Sequence, residues 1–212
     1  VVLVGMAAGN SLGGWLADRF PRQETLALCL GVAALACLSI LVTNRGVTGE
    51  TNGSLARAIV LHGALVFLLP VTALGTLSPL VLRLTLTGVS SAGRTVGLLY
   101  AWSTAGALLS GFLTGWWLIA QFGVYALLFG ACVALLVLAA LVGRVWLHRR
   151  LFAGFSVAFV TAAAAWSLGF ARSPCTQETD YFCIQTYVTT LAGRELKVMR
   201  LDMLVHTLTD LE

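Results

Sequence analysis

The sequence predicts a mainly α fold: a multi-pass bundle of about six membrane-spanning helices, followed by a short β-hairpin segment. Three observations predict it. First, 58% of the 212 residues are hydrophobic and only 10% are charged, against about 25% charged in an ordinary soluble domain. Second, the charge is uneven. Residues 1–170 hold nine Arg and three acidic side chains (net +6), and residues 171–212 hold four basic and six acidic ones (net −2). Third, long apolar runs stop at Phe170, and a polar stretch opening "CTQETDYFC" replaces them. The expected organisation is a transmembrane domain over 1–170 and a β-segment over 171–212. The overall +4 says little about nucleic acid, because membrane proteins carry Arg at loops for topological reasons. The chain begins inside an apolar run and stops just after a strand-like segment, so a fragment of a longer protein is expected.

A spanning helix needs about 20 mostly apolar residues. Six runs qualify as candidates: about Val1–Ala17, Thr25–Thr43, Ala58–Leu82 (with Pro70 and Pro79), Val96–Ala120, Val124–Trp146 and Leu151–Phe170. No charged side chain lies in the middle of any of them. Backbone in a bilayer must be paired within its own segment or by barrel closure, and runs this long and apolar read as helices. Gly5, Gly9 and Gly13 are spaced four apart, as are Gly106 with Ser110 and Gly111 with Gly115. Such faces let helix backbones approach. Trp116 and Trp117 read as interfacial anchors.

The tail changes period. "YFCIQTYVTT" is aromatic and β-branched, "LAG" is a turn candidate, "RELKVMRLD" alternates apolar and charged residues, and "MLVHTLT" reads as a third strand. This predicts a hairpin plus a strand, too short to bury a core of its own.

Arg placement predicts topology. The loops 18–24, 83–95 and 143–150 carry seven Arg, and the alternating loops 44–57 and 121–123 carry two, offset by Glu50. The positive-inside rule puts the seven-Arg loops in the cytoplasm of a plasma membrane and the tail outside. An oxidising exterior permits disulfides, and Cys175 with Cys183 is the candidate pair. Two free thiols on a cytoplasmic tail is the alternative.

The tail resembles the opening β-hairpins of spermidine synthases, with Glu178, Tyr181, Arg194, Leu201 and Asp202 at the matching positions and His206 four residues on. "GNSLGGWLADRFPRQ", "LSPLVLR" and "GRTVGLLYAWSTAGALLSGFLTGWWLIAQFG" are similar to the membrane half of bacterial proteins that fuse transmembrane helices to such a domain. The resemblance implies a bacterial inner-membrane protein with a Rossmann-like aminopropyltransferase domain. That domain would use decarboxylated S-adenosylmethionine and a polyamine acceptor, with Tyr181, Asp202 and His206 as substrate-binding candidates. No G-x-G-x-x-G follows a strand in this chain, so no catalytic residue is expected here and no cofactor is held by this stretch alone. Phe182 stands where soluble spermidine synthases carry a nucleoside-contacting Gln, and Phe cannot make that hydrogen bond. A different acceptor or a lost activity therefore stays open.

"GWLADRFPRQ" also resembles the cytoplasmic loop signature of major facilitator transporters, through Gly14, Asp18, Arg19 and Arg22, with Pro21 where that signature has Gly. The plainer reading is a topology-fixing Arg loop. Transport of small amines, or a non-catalytic membrane-anchored binding module, are the alternative functions. Transport would want a polar group in the membrane, and His62 is the candidate, although an interfacial or packing role fits it as well. Cys29, Cys37 and Cys132 read as small buried hydrophobes. The Cys175/Cys183 spacing matches no common zinc site, and His148 lies in the basic loop "RVWLHRR". No metal is expected. The partners expected are the lipid bilayer and, in the parent, a small polyamine or nucleoside substrate.

Overall fold

The computed structural model describes residues 1–46, 55–86, 88, 91–144, 149–170, 173, 175–179, 183–191, 194–201 and 204–210. Its elements are α1 (Val2–Arg19), α2 (Gln23–Gly46), α3 (Leu55–Gly75), α4 (Leu77–Thr85), α5 (Ala92–Leu113), a π turn (Thr114–Leu118), α6 (Ile119–Val142), α7 (Arg149–Ser167), β1 (Gln177–Glu178), β2 (Cys183–Leu191), β3 (Arg194–Leu201) and β4 (Leu204–Asp210). The chain divides into two compact units, Val1–Ala107 with Leu128–Ala171, and Leu108–Leu127 with Arg172–Glu212.

Helix boundaries follow local chemistry. α1 ends at Phe20, whose φ/ψ of −139°/67° leaves the helical region while its N–H still reaches the Leu16 carbonyl at 2.8 Å. Pro21 follows, and a residue before proline is pushed out of the α region. Pro79 lacks the N–H that would reach the Gly75 carbonyl, so the helix breaks there. Thr76 marks the break, with its N–H and its hydroxyl both donating to the Ala73 carbonyl. The expected third helix is therefore two, α3 and α4.

Gly123 has φ 73° and ψ 166° inside the α6 span, a conformation open essentially only to glycine. It divides the run that follows α5. α7 closes with Phe170 N–H to Ala165 O and Gly169 N–H to Trp166 O, with Gly169 at φ 76°. This paired closure in the left-handed region is the Schellman arrangement.

Three stretches are long and apolar enough to cross a membrane: Gln23–Leu41, Val60–Thr85 and Ala92–Val142. Leu151–Ser167 is a shorter apolar helix. These features are consistent with a membrane protein. Length and hydropathy thus do not return six separate spans among the described residues. The 51-residue stretch is far longer than the ~20 residues of one crossing, and its non-helical point is Gly123.

In the first unit α1 lies along α3 and α4. Its buried residues are Gly5, Gly9, Gly13 and Ala17. A Cβ on Gly5 would meet Val71 at 3.2 Å, one on Gly9 would collide with the Thr72 carbonyl oxygen, and one on Gly13 would sit 2.5 Å from the Thr76 oxygen and 2.7 Å from Pro79 Cγ. Both helices advance together along this seam, so they run parallel. A second cluster gathers Ala27, Leu30 and Ala34 of α2, Leu136 and Ala139 of α6, and Phe155, Ala158 and Ala162 of α7. Phe129 and Trp166 stack across α6 and α7 at 5.0 Å.

In the second unit the strands form one antiparallel sheet in the order β1-β2-β3-β4. The β2/β3 ladder is regular from Ile184↔Leu201 to Leu191↔Arg194. Val198 is buried, whereas Tyr187, Val188, Val205 and Leu208 remain 45–58% exposed. The sheet has the expected meander of strands, plus the short β1 that the sequence pattern did not show.

Candidate functional site

Of the residues singled out in the sequence for substrate binding, His206 falls in this sheet. Tyr181 and Asp202 lie outside the described residues, as do Phe182, Glu50 and His148. His206 is in β4, exposed, with Nδ1 3.4 Å from the Thr207 hydroxyl.

The β3/β4 register gives His206 a setting that alternation alone does not reveal. Met199 pairs with Thr207, but Arg200 pairs with Val205. His206 is the extra residue, opposite no single partner, at a bulge between Met199 and Arg200. A bulge bends its strand and re-aims a side chain. His206 is thus set apart from the regular ladder, with its imidazole exposed.

Cys175 and Cys183 are joined by a disulfide, with Cα atoms 5.4 Å apart. Backbone and side chain reinforce the link. Thr176 N–H donates to the Ile184 carbonyl at 2.8 Å, and the Thr176 hydroxyl accepts from Thr186 N–H at 3.0 Å. β1 adds Gln177↔Ile184 and Glu178↔Cys183. The segment after α7 is therefore pinned to the first long strand covalently and by main-chain pairing.

Two enclosed polar groups in the α3/α4 region stand out among the described residues. Thr76 is buried at the α3/α4 break, and its hydroxyl is satisfied by Ala73. His62, in the second turn of α3, has an enclosed Nδ1 without a hydrogen-bond partner among the described residues. A buried polar atom left unpaired is uncommon and calls for a reason. The sequence offered His62 as the ionisable group in the apolar runs, near the start of the third, where an interfacial or packing role fits it as well. The α3/α4 break beyond it was signalled by Pro79 but not located.

No group of three or more His, Cys, Asp or Glu is placed to hold a metal ion among the described residues. Comparison with protein-family models, with curated proteins and with solved structures finds no match.

Proposed function

We propose that the chain is the membrane part and opening β-segment of a membrane-anchored, spermidine-synthase-like protein. In the parent, an aminopropyl group would pass from decarboxylated S-adenosylmethionine to a polyamine acceptor. The observation that carries this reading is the order of parts: apolar helices, then a disulfide-pinned antiparallel meander holding Glu178, Arg194, Leu201 and His206 of the residues that resemble the family's opening hairpins. In the reaction a deprotonated amine attacks the methylene carbon bound to the sulfonium. The carbon–sulfur bond breaks, methylthioadenosine leaves, and the new secondary amine carries the aminopropyl group. Tyr181, Asp202 and His206 would contribute to substrate binding, and the nucleotide loop would come from the parent's further sequence.

The test is release of methylthioadenosine by the lipid-reconstituted parent given decarboxylated S-adenosylmethionine and putrescine. Product is expected from the parent and none from residues 1–212. A parent with an intact nucleotide loop and no turnover on any polyamine would sink the reading. The same proposal puts the sheet outside the cytoplasm of a bacterial plasma membrane, on the Arg distribution and on the disulfide. A reporter active only outside the cytoplasm, fused after Glu212, should therefore be active.

A second reading, transport of small amines, draws on the unpaired Nδ1 of His62 and the proline-broken α3/α4 pair. Interrupted helices and intramembrane ionisable groups mark solute paths in transporters. Amine flux into vesicles that is lost in His62→Leu, with product formation unchanged, would favour it.

A further inference from the structure

Cys37 of α2 and Cys132 of α6 are both buried, at 8% and 1% relative exposure, and both are free thiols. Each lies deep in its apolar helix. Small residues of α2 share clusters with Leu135 and Leu136 of α6. Leu135 packs against the cluster of Ala33, Ala36 and Ala73, and Leu136 shares a cluster with Ala27, Leu30 and Ala34. Cys37 is one turn beyond Ala33, and Cys132 is one turn before Leu135 and Leu136, so the same seam carries both thiols. They meet there, Cys37 and Cys132 being in hydrogen-bonding contact with each other. Contact between the two sulfur atoms is the first thing a disulfide between them requires.

We propose that Cys37 and Cys132 form a reversible oxidation site that clamps α2 to α6. Two S–H bonds break and one S–S bond forms. Two protons and two electrons pass to a lipid-soluble acceptor of the diazene or quinone class, which leaves as the hydrazine or hydroquinone. The chemistry suits the location. A disulfide adds no charge to an apolar interior, whereas two thiolates around a soft monovalent cation would leave a net negative charge where charge is costly. The site is independent of the aminopropyltransferase reading, because it uses only helices of the first unit.

The test uses the whole chain in lipid vesicles, reduced with a membrane-permeant thiol and then treated with diamide. Non-reducing peptide mapping should find Cys37 joined to Cys132. The melting temperature should rise by more than it does in Cys37→Ala or Cys132→Ala, where only Cys175–Cys183 can re-form. Absence of the 37–132 peptide in a sample where Cys175–Cys183 has re-formed would overturn the proposal. So would a link from either thiol to Cys29, or an equal melting rise in either alanine variant.

Discussion

α1 and α5 carry the same kind of face and meet different fates. In α1, Gly5, Gly9 and Gly13 are buried against α3 and α4, and a Cβ on Gly9 or Gly13 would strike backbone. In α5 and the turn after it, Gly106, Gly111 and Gly115 have nothing within 4 Å of where a Cβ would be, and α5 buries no side chain. The surrounding Trp102, Leu109, Phe112 and Trp116 are 70–84% exposed. The spacing of small residues therefore states that a helix can be approached closely, and says nothing of whether it is. What distinguishes the two is the partner. The α3–α4 helices present Thr72, Gly75 and Thr76 to α1, small residues in register with its glycines, so two small faces meet. At Gly9 and Gly75 two glycines face each other: a Cβ on Gly75 would lie 3.1 Å from the Gly9 Cα.

The contrast can be broken most directly at Gly9. Gly9→Leu must push α1 off α3, and a destabilisation of about 3 kcal/mol or more is expected, at or above the upper end of ordinary overpacking. Thermal unfolding in detergent or lipid would show it, and a melting temperature within a degree of wild type would mean that the α1/α3 seam is not as close as described.

A closure that needs no helix partner sharpens the comparison from the other side. Replacing Cys175 and Cys183 together by Ser removes a covalent loop of nine residues, worth about 2–3 kcal/mol on the chain-entropy account. The loss should appear in the sheet and leave the helical transition in place. Hydrogen exchange at Thr176 and Thr186 would locate it, because their amides carry the bonds beside the link. Unchanged protection there would refute the pinning role.

A smaller effect is expected from Gly13→Ala. One methyl group would meet the Thr76 oxygen at 2.5 Å and the Pro79 ring at 2.7 Å. The expected cost is about 1–2 kcal/mol, since a single methyl forces a local shift rather than separation. Denaturant titration of the variant beside wild type would measure it.

The smallest effect is expected at the open face. Gly111→Leu meets no neighbour and should change stability by less than about 0.5 kcal/mol, as at surface sites without special features. A loss comparable to that of Gly9→Leu would mean that α5 also has a close partner, and the contrast between the two helices would fall.

Much of the architecture was legible in the residues because it depends on near neighbours. Apolar runs of helical length and the aromatic, β-branched and alternating stretches after Cys183 all act within a few residues of themselves. The candidate site was legible in part. The eight-residue separation of Cys175 and Cys183 suits a strand folding back on its own lead-in, and β1 supplies that return. His206 was found by resemblance, but its place at a bulge was not. A bulge is a property of two strands in register, and the β4 residues by themselves do not state which partner each one meets.

By itself the sequence determined that apolar helices come first and that a small antiparallel sheet follows them. Those outcomes follow from backbone torsions and from spacings of two to four residues. Only the tertiary structure decided that α1 fills its glycine face while α5 leaves its own open. It also decided that Cys37 meets Cys132 across ninety-five positions, and that the β3/β4 ladder slips at His206. Each of these depends on which distant segment arrives alongside. That is settled by shape complementarity between surfaces rather than by the pattern along either one.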